Sequence, residues 1–176
     1  MADQPLKGVR VLEMAQAIAG PFAARTLADM GADVIKVEKP DGGDDNRRAG
    51  PPFIGGQGAG FMAANRNKRS LALNLRDESG RQVFERLLER ADVLVENFRP
   101  GVMERLGIGY ERLSKLKPSL IYCSISGHGG TGPYKDRGGF DLIAQGMSGL
   151  MSITGVPDGP PVKVGVPITD ISAGIM

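Results

Sequence analysis

The sequence predicts an α/β protein in which a parallel sheet is covered by helices. Two observations carry this. Apolar runs at residues 9–13, 33–38 and 92–96 are too short for core helices and read as strands. Segments with helical period or helix-end signals lie between them, so strand and helix alternate along the chain.

The elements follow in order. Residues 9–13 form the first strand. Gly20 and Pro21 then open a helix, with proline at its first position, where a missing N–H costs nothing, and Gly31 just past its end. Residues 33–38 are the second strand. From residue 39 to about residue 67 the chain is polar and rich in glycine and proline, which predicts an extended loop with a short helix near Phe61, Met62 and Ala63. Residues 70–75 are the third strand. Asp77 caps a helix whose apolar face is Val83, Phe84, Leu87, Leu88 and Ala91, a spacing that fits 3.6 residues per turn. Residues 92–96 form a buried strand, 100–106 and 110–116 two short helices joined through Gly107 and Gly109, and 120–125 the last strand. A helix covers 141–150. A final one opens at Asp170, after an apolar approach through Val164, Val166 and Ile168.

With 176 residues the chain is long enough to bury a core, and 41% hydrophobic with 24% charged residues is ordinary for a soluble globular protein. A net charge of +2 argues against a general affinity for nucleic acid or anionic membrane. Arg47, Arg48, Arg66, Lys68, Arg69 and Arg76 crowd one stretch and read as a solvated basic surface. The single cysteine, Cys123, excludes a disulfide within the chain and reads as a buried, inert thiol. No basic, apolar leader stands at the start and no run approaches the length of a membrane span, so the expected location is cytoplasmic.

Several chemistries fail on residue type. Glu38 ends the second strand where a dinucleotide fold keeps its ribose-binding acid. The preceding turn, Ala15 to Pro21, has one glycine where that fingerprint needs three. There is no Gly-Lys-Ser/Thr phosphate loop. One histidine and one cysteine cannot supply a zinc site, so no metal is expected. His128 lies in a glycine-rich turn with no nucleophile elbow nearby. What remains is Asp170, a carboxylate at a helix start. It can serve as a plain cap or as a nucleophile held by backbone N–H groups.

Five segments recur in one order: Val34-Ile35-Lys36-Val37-Glu38, Asn67-Lys68-Arg69-Ser70, Asp92 to Gly101, Gly127 to Tyr134, and Gln145 to Asp170. In this order they resemble the class III coenzyme A transferases, over nearly the whole chain. The resemblance implies a Rossmann-like doubly wound parallel sheet, part of a fold whose complete chains interlock as a homodimer. Residues 1–176 would then be the N-terminal portion of the large CoA-binding domain of a longer enzyme, and are expected to be inactive alone. It implies transfer of CoA between an acyl-CoA and a small carboxylic acid through a covalent aspartyl intermediate, with CoA as substrate and no permanently bound cofactor. Asp170 is placed as the nucleophile, with Asp141 beside the thioester. CoA contacts fall on Ile18, Ala19, Lys39, Leu73, Asn74, Leu75, Arg76, Asn97, Phe98, Arg99, Arg105, Arg137, Gly138, Gly139 and Phe140. Lys39, Arg76 and Arg105 are the phosphate candidates, since CoA carries a 3′-phosphate and a diphosphate.

Two other readings stand beside it. The related 2-methylacyl-CoA racemases use a histidine directly before the acid that matches Asp141. Phe140 stands there, and a phenyl ring carries no proton. A non-catalytic CoA-binding module is the second.

Overall fold

The computed structural model describes residues 4–176. In chain order it contains β1 (Arg10–Met14), α1 (Ala19–Asp29), β2 (Asp33–Glu38), β3 (Phe53–Ile54), β4 (Gln57–Gly58), α2 (Ala59–Asn65), β5 (Lys68–Ala72), α3 (Glu78–Leu88), β6 (Val93–Glu96), α4 (Val102–Arg105), α5 (Tyr110–Leu116), β7 (Ile121–Ser124), α6 (Asp141–Met147) and α7 (Ile168–Ile175). Five strands form one parallel sheet in the order β5-β2-β1-β6-β7, and β3 and β4 form a small antiparallel ribbon. The chain builds outward from β1 to one side, then returns to β1 and builds to the other. This is the doubly wound order, and its switch point lies between β1 and β6.

Strand alternation sorts the core into two layers. Leu12, Met14, Ile35, Val37 and Leu94 face Phe84 and Leu88 of α3, Met103 of α4 and Leu113 of α5. Val11, Val34 and Val95 face Ala24 and Ala28 of α1. The small alanines of α1 let that helix lie close to the sheet.

The structure corrects several boundaries. The third sheet strand covers 68–72, not 70–75. Lys68 and Arg69 can pair there because Lys68 Nζ sits 2.7 Å from Glu13 Oε2 and Arg69 forks onto Asp33 at 2.7 Å. After Leu73 N–H donates to the Glu38 carbonyl, the chain turns away, with Arg76 N–H donating to Asn74 Oδ1. Asp77 precedes α3 but does not cap it through its side chain, which accepts from Asn74 Nδ2 instead. The stretch expected as a loop carries a 3-10 turn at Asp45–Arg48 and the ribbon, and the short helix expected near Phe61 is α2. Its basic residues are not a free surface, because Arg47 pairs with Glu38, Arg66 with Asp29, and Lys68 is buried. Cys123 lies on edge strand β7 and is half-buried. Burial, then the nearby Glu96, raises its thiol above the usual range. Helix α6 stops at Met147 and is followed by a 3-10 turn, Leu150–Ile153, entered through Gly149 in the left-handed conformation.

No helix among the described residues is long and apolar enough to cross a membrane. Phe84 is fully buried between α3 and the sheet. Phe84→Ala is expected to lower stability by about 3–5 kcal/mol through lost burial and a residual cavity. Urea unfolding of the two proteins measures the difference.

Candidate active site

In an open parallel sheet the ends of β1 and β6 diverge at the switch point and leave a crevice outside their carboxyl ends. Here the crevice is bridged by one side chain. Asn97, the first residue after β6, accepts from Gln16 N–H through Oδ1 and donates through Nδ2 to the Gln16 carbonyl, both at 2.8 Å. Gly20 makes room for this bridge. A Cβ there would lie 2.3 Å from the Ala15 Cβ and 3.2 Å from the Asn97 amide carbon.

Asp170 reaches the crevice from a distance in sequence. It sits in the first turn of α7, whose Gly174 packs on the start of α1, where a Cβ would lie 2.6 Å from the Ala19 carbonyl oxygen. Helix α7 has no cap from its own N-cap residue, Pro167. Asp141, opening α6, serves that end instead. Its Oδ1 accepts from Thr169 N–H (2.9 Å) and Thr169 Oγ1 (2.7 Å), and its Oδ2 from Gln145 Nε2 (2.6 Å). Gln145, fully buried, also accepts from Val164 N–H at 2.8 Å and so ties down the approach to α7.

The two acids are set apart electrostatically. Burial, followed by the charge of Asp141, pushes the Asp170 carboxyl above the ordinary range. Burial also works to raise Asp141, but the donors from Thr169, Gln145 and Asp170 outweigh it and hold that carboxyl low. Asp141 is therefore the committed anion and Asp170 the more basic carboxylate.

The crevice has two connected parts around Asp170. One, of about 330 Å³, is lined by Ile18, Ala19, Asn97, Phe98, Arg99, Gly139, Phe140 and Asp170. A narrower part of about 160 Å³ shares most of these and adds Arg137 and Gly138. Phe98 also walls a neighbouring cleft of about 230 Å³ lined by Lys39, Leu73, Asn74, Leu75 and Arg76. Lys39 is paired with Asp45 at 2.6 Å on the surface. The structure thus brings the sequence-selected residues together with two exceptions. Arg105 is exposed on α4 and lines neither cleft, and Asp141 stands behind Thr169 rather than on the wall. His128 packs edge-on against Tyr134 and also lines neither. Among the described residues no group of three or more His, Cys, Asp or Glu side chains could hold a metal ion.

Sequence reasoning missed Gln145, Thr169 and a buried charge cluster of Glu13, Lys36, Asp44 and Lys68. The cluster had a readable signal: Glu13 and Lys36 are charged residues inside otherwise apolar strands.

Glu38 is engaged elsewhere than a ribose. Burial favours its neutral form, but Arg47 (2.6 and 2.8 Å), Ser70 (2.7 Å) and Asp44 N–H (2.8 Å) more than offset this and hold it at about 2. An acid depressed in the fold stabilises it above its ordinary value, 4.5, and that contribution is lost as pH falls towards 2. Glu38→Gln is expected to flatten the loss of stability across this window. Urea midpoints measured at steps of pH test this, and an unchanged slope would contradict it.

Residues 6–176 match CoA-transferase family III. A succinate–glutarate CoA-transferase of Agrobacterium fabrum is 52% identical over 177 residues, covering 97% of this chain and 44% of that protein. The acetyl-CoA:oxalate CoA-transferase of Acetobacter aceti is 48% identical over 172 residues, covering 97% and 44%. A crystal structure of a CAIB/BAIF family protein from Brucella suis superposes with a TM-score of 0.94 at 50% identity, covering 98% of this chain and 47% of that one. The chain spans less than half the length of these relatives.

Proposed function

The chain belongs to CoA-transferase family III, and on that premise we propose that its crevice transfers coenzyme A between an acyl-CoA thioester and a carboxylic acid, with Asp170 as the covalent nucleophile. One observation carries the reading. The half-buried carboxylate of Asp170, raised by burial and by Asp141, lines a cleft at the switch point beside a second cleft that offers Lys39 and Arg76.

The chemistry follows from the charges. The Asp170 carboxylate attacks the thioester carbonyl and expels CoA thiolate, leaving a mixed anhydride. The thiolate then attacks the aspartyl carbonyl and expels the donor acid, leaving an aspartyl-CoA thioester. The acceptor carboxylate repeats the sequence in reverse, takes CoA and restores Asp170. Burial and the Asp141 charge both disfavour an anion at Asp170, so both favour its conversion to a neutral acyl group. Thr169 and Gln145 keep Asp141 fixed through each step. Lys39 and Arg76 suit the phosphates of CoA, Leu73 and Leu75 an apolar wall for adenosine, and Phe98 the pantetheine between the two clefts.

Phe140 precedes Asp141 and gives a two-base racemase no second proton carrier. Turnover is proposed for the full-length gene product, acting as an interlocked homodimer, and not for residues 1–176 alone. Glutarate, succinate and oxalate, the acids in the relatives' names, are the acceptors to try first.

The test is mass spectrometry of the full-length gene product incubated with succinyl-CoA and hydroxylamine. Hydroxylamine converts an activated aspartyl group to a hydroxamate, adding about 15 Da to its peptide. A label on the Asp170 peptide that Asp170→Ala abolishes is the expected result. Proton exchange alpha to the thioester with no label from any donor would overturn it.

A further inference from the structure

Two lysines are buried on the α1 face of the sheet, and neither lines the crevice. Lys36 is 1% exposed, and its Nζ lies 2.8 Å from Glu13 Oε1, 3.0 Å from Asp44 Oδ2 and 2.7 Å from the Ala15 carbonyl. Lys68 Nζ lies 2.7 Å from Glu13 Oε2, 2.8 Å from the Pro21 carbonyl and 2.9 Å from Asn65 Oδ1. Lys36 hydrogen-bonds Glu13 Oε1 and the Ala15 carbonyl, and Lys68 the Pro21 carbonyl and Asn65 Oδ1, while Asp44 Oδ2 and Glu13 Oε2 are met as ion pairs.

Their backbone acceptors, the Ala15 and Pro21 carbonyls, stand on either side of one turn. Between β1 and α1, the Ala15 carbonyl is held by Lys36, both Gln16 groups by Asn97, and Ala17 N–H by Asp44 Oδ1 at 3.3 Å. The Ala17 carbonyl accepts from Asn46 Nδ2 at 3.0 Å, and Pro21, in the first turn of α1, accepts from Lys68. Ala17 itself is in the left-handed region, φ 61°, a conformation that a non-glycine residue keeps only where its surroundings enforce it. The turn ends at Ile18 and α1 opens at Ala19; both share the crevice with Asp170, and Gly174 of α7 packs on the Ala19 carbonyl.

A buried ion pair is a poor source of stability, since an apolar pair of the same volume often does as well. What an apolar pair cannot do is point a carbonyl. We infer that Lys36 is a positioning residue for CoA transfer, fixing with Glu13, Asp44 and Lys68 the turn that leads into the start of α1, on which the Asp170 helix is seated. The inference rests on the transfer reading of the crevice. A small displacement of a reacting group costs orders of magnitude in rate, so the effect is expected in the chemical step. The phosphate candidates Lys39 and Arg76 are not in the cluster, so donor binding should change little.

The experiment uses the full-length enzyme with Lys36→Met, and kcat is expressed per site titrated with hydroxylamine. The expected result is a fall in kcat of about 30-fold with KM within about threefold, together with faster hydrogen exchange in the peptide spanning residues 15–19. A merely structural role would lower the melting temperature and the number of active sites but leave kcat per site unchanged. Where Lys36→Met does not fold, the amide isostere Asp44→Asn, which removes one charge and keeps the shape, is expected to lower kcat by about fivefold. Values of kcat within twofold of the parent in every variant that folds would overturn the inference. A parent enzyme that turns over no donor would instead remove the transfer reading. The exchange measurement would then decide alone whether the cluster holds the turn.

Discussion

Glu13 and Lys36 stand directly opposite each other on β1 and β2, one fully buried and the other nearly so, and the fold is organised around that pair. Two charges removed from water hold together only if they are well partnered, and here Asp44 and Lys68 add ion pairs while two backbone carbonyls add hydrogen bonds. The pair fixes strand register, because a slip of one residue would turn Glu13 towards Phe84 and Leu88 on the apolar face. It also explains why so polar a segment as Lys68–Ala72 closes the sheet edge. Glu13 has a second oxygen to offer, and Lys68 reaches it. Burial draws the Lys68 ammonium down to about 8 even against that carboxylate, in keeping with a side chain only 2% exposed.

Much of this was legible in the residues. The strands were plain as short apolar runs, and their alternation separates the two core layers. The helix through Phe84 and Leu88 was written in its period. Asp170 could be picked out because an acid followed an apolar approach at a helix start and stood within a run of family motifs. Other features depend on what meets in space. Asp141 caps a helix that begins some twenty-five residues later, and no local signal shows that Thr169 will supply the donors. The basic stretch looked like solvated surface because Asp29 and Asp33, which neutralise part of it, are remote in sequence, and Glu38 meets Arg47 only once the intervening loop has folded back. Arg105 was selected by its motif, and α4 turns it away from both clefts.

The same sheet order serves dinucleotide enzymes, and the contrast locates where this chain differs. There, glycines leave backbone N–H groups free at the first turn to meet a pyrophosphate. Here the N–H groups of Gln16 and Ala17 are already taken by Asn97 and Asp44, and the acid that would greet a ribose is clasped by Arg47 and Ser70. The switch point keeps its crevice while the ligand chemistry passes to other residues. The wall offered by Leu73, Leu75 and Phe98 spreads across the carboxyl ends of the strands, with Ala15 and Gln16 of the turn at its edge.

Helix α7 is held at both ends by groups outside it: Asp141 at its start and, through Gly174, the first turn of α1 near its end. With Val164 tied to Gln145, the exposed stretch before it carries little responsibility for where Asp170 stands. Insertions and deletions around the exposed Val156 and Asp158 to Pro161 can lengthen or shorten the path without displacing the carboxylate, as a rope may be cut long or short between two fixed cleats. That stretch is where the chain has most freedom to acquire new contacts while its reactive group stays in register.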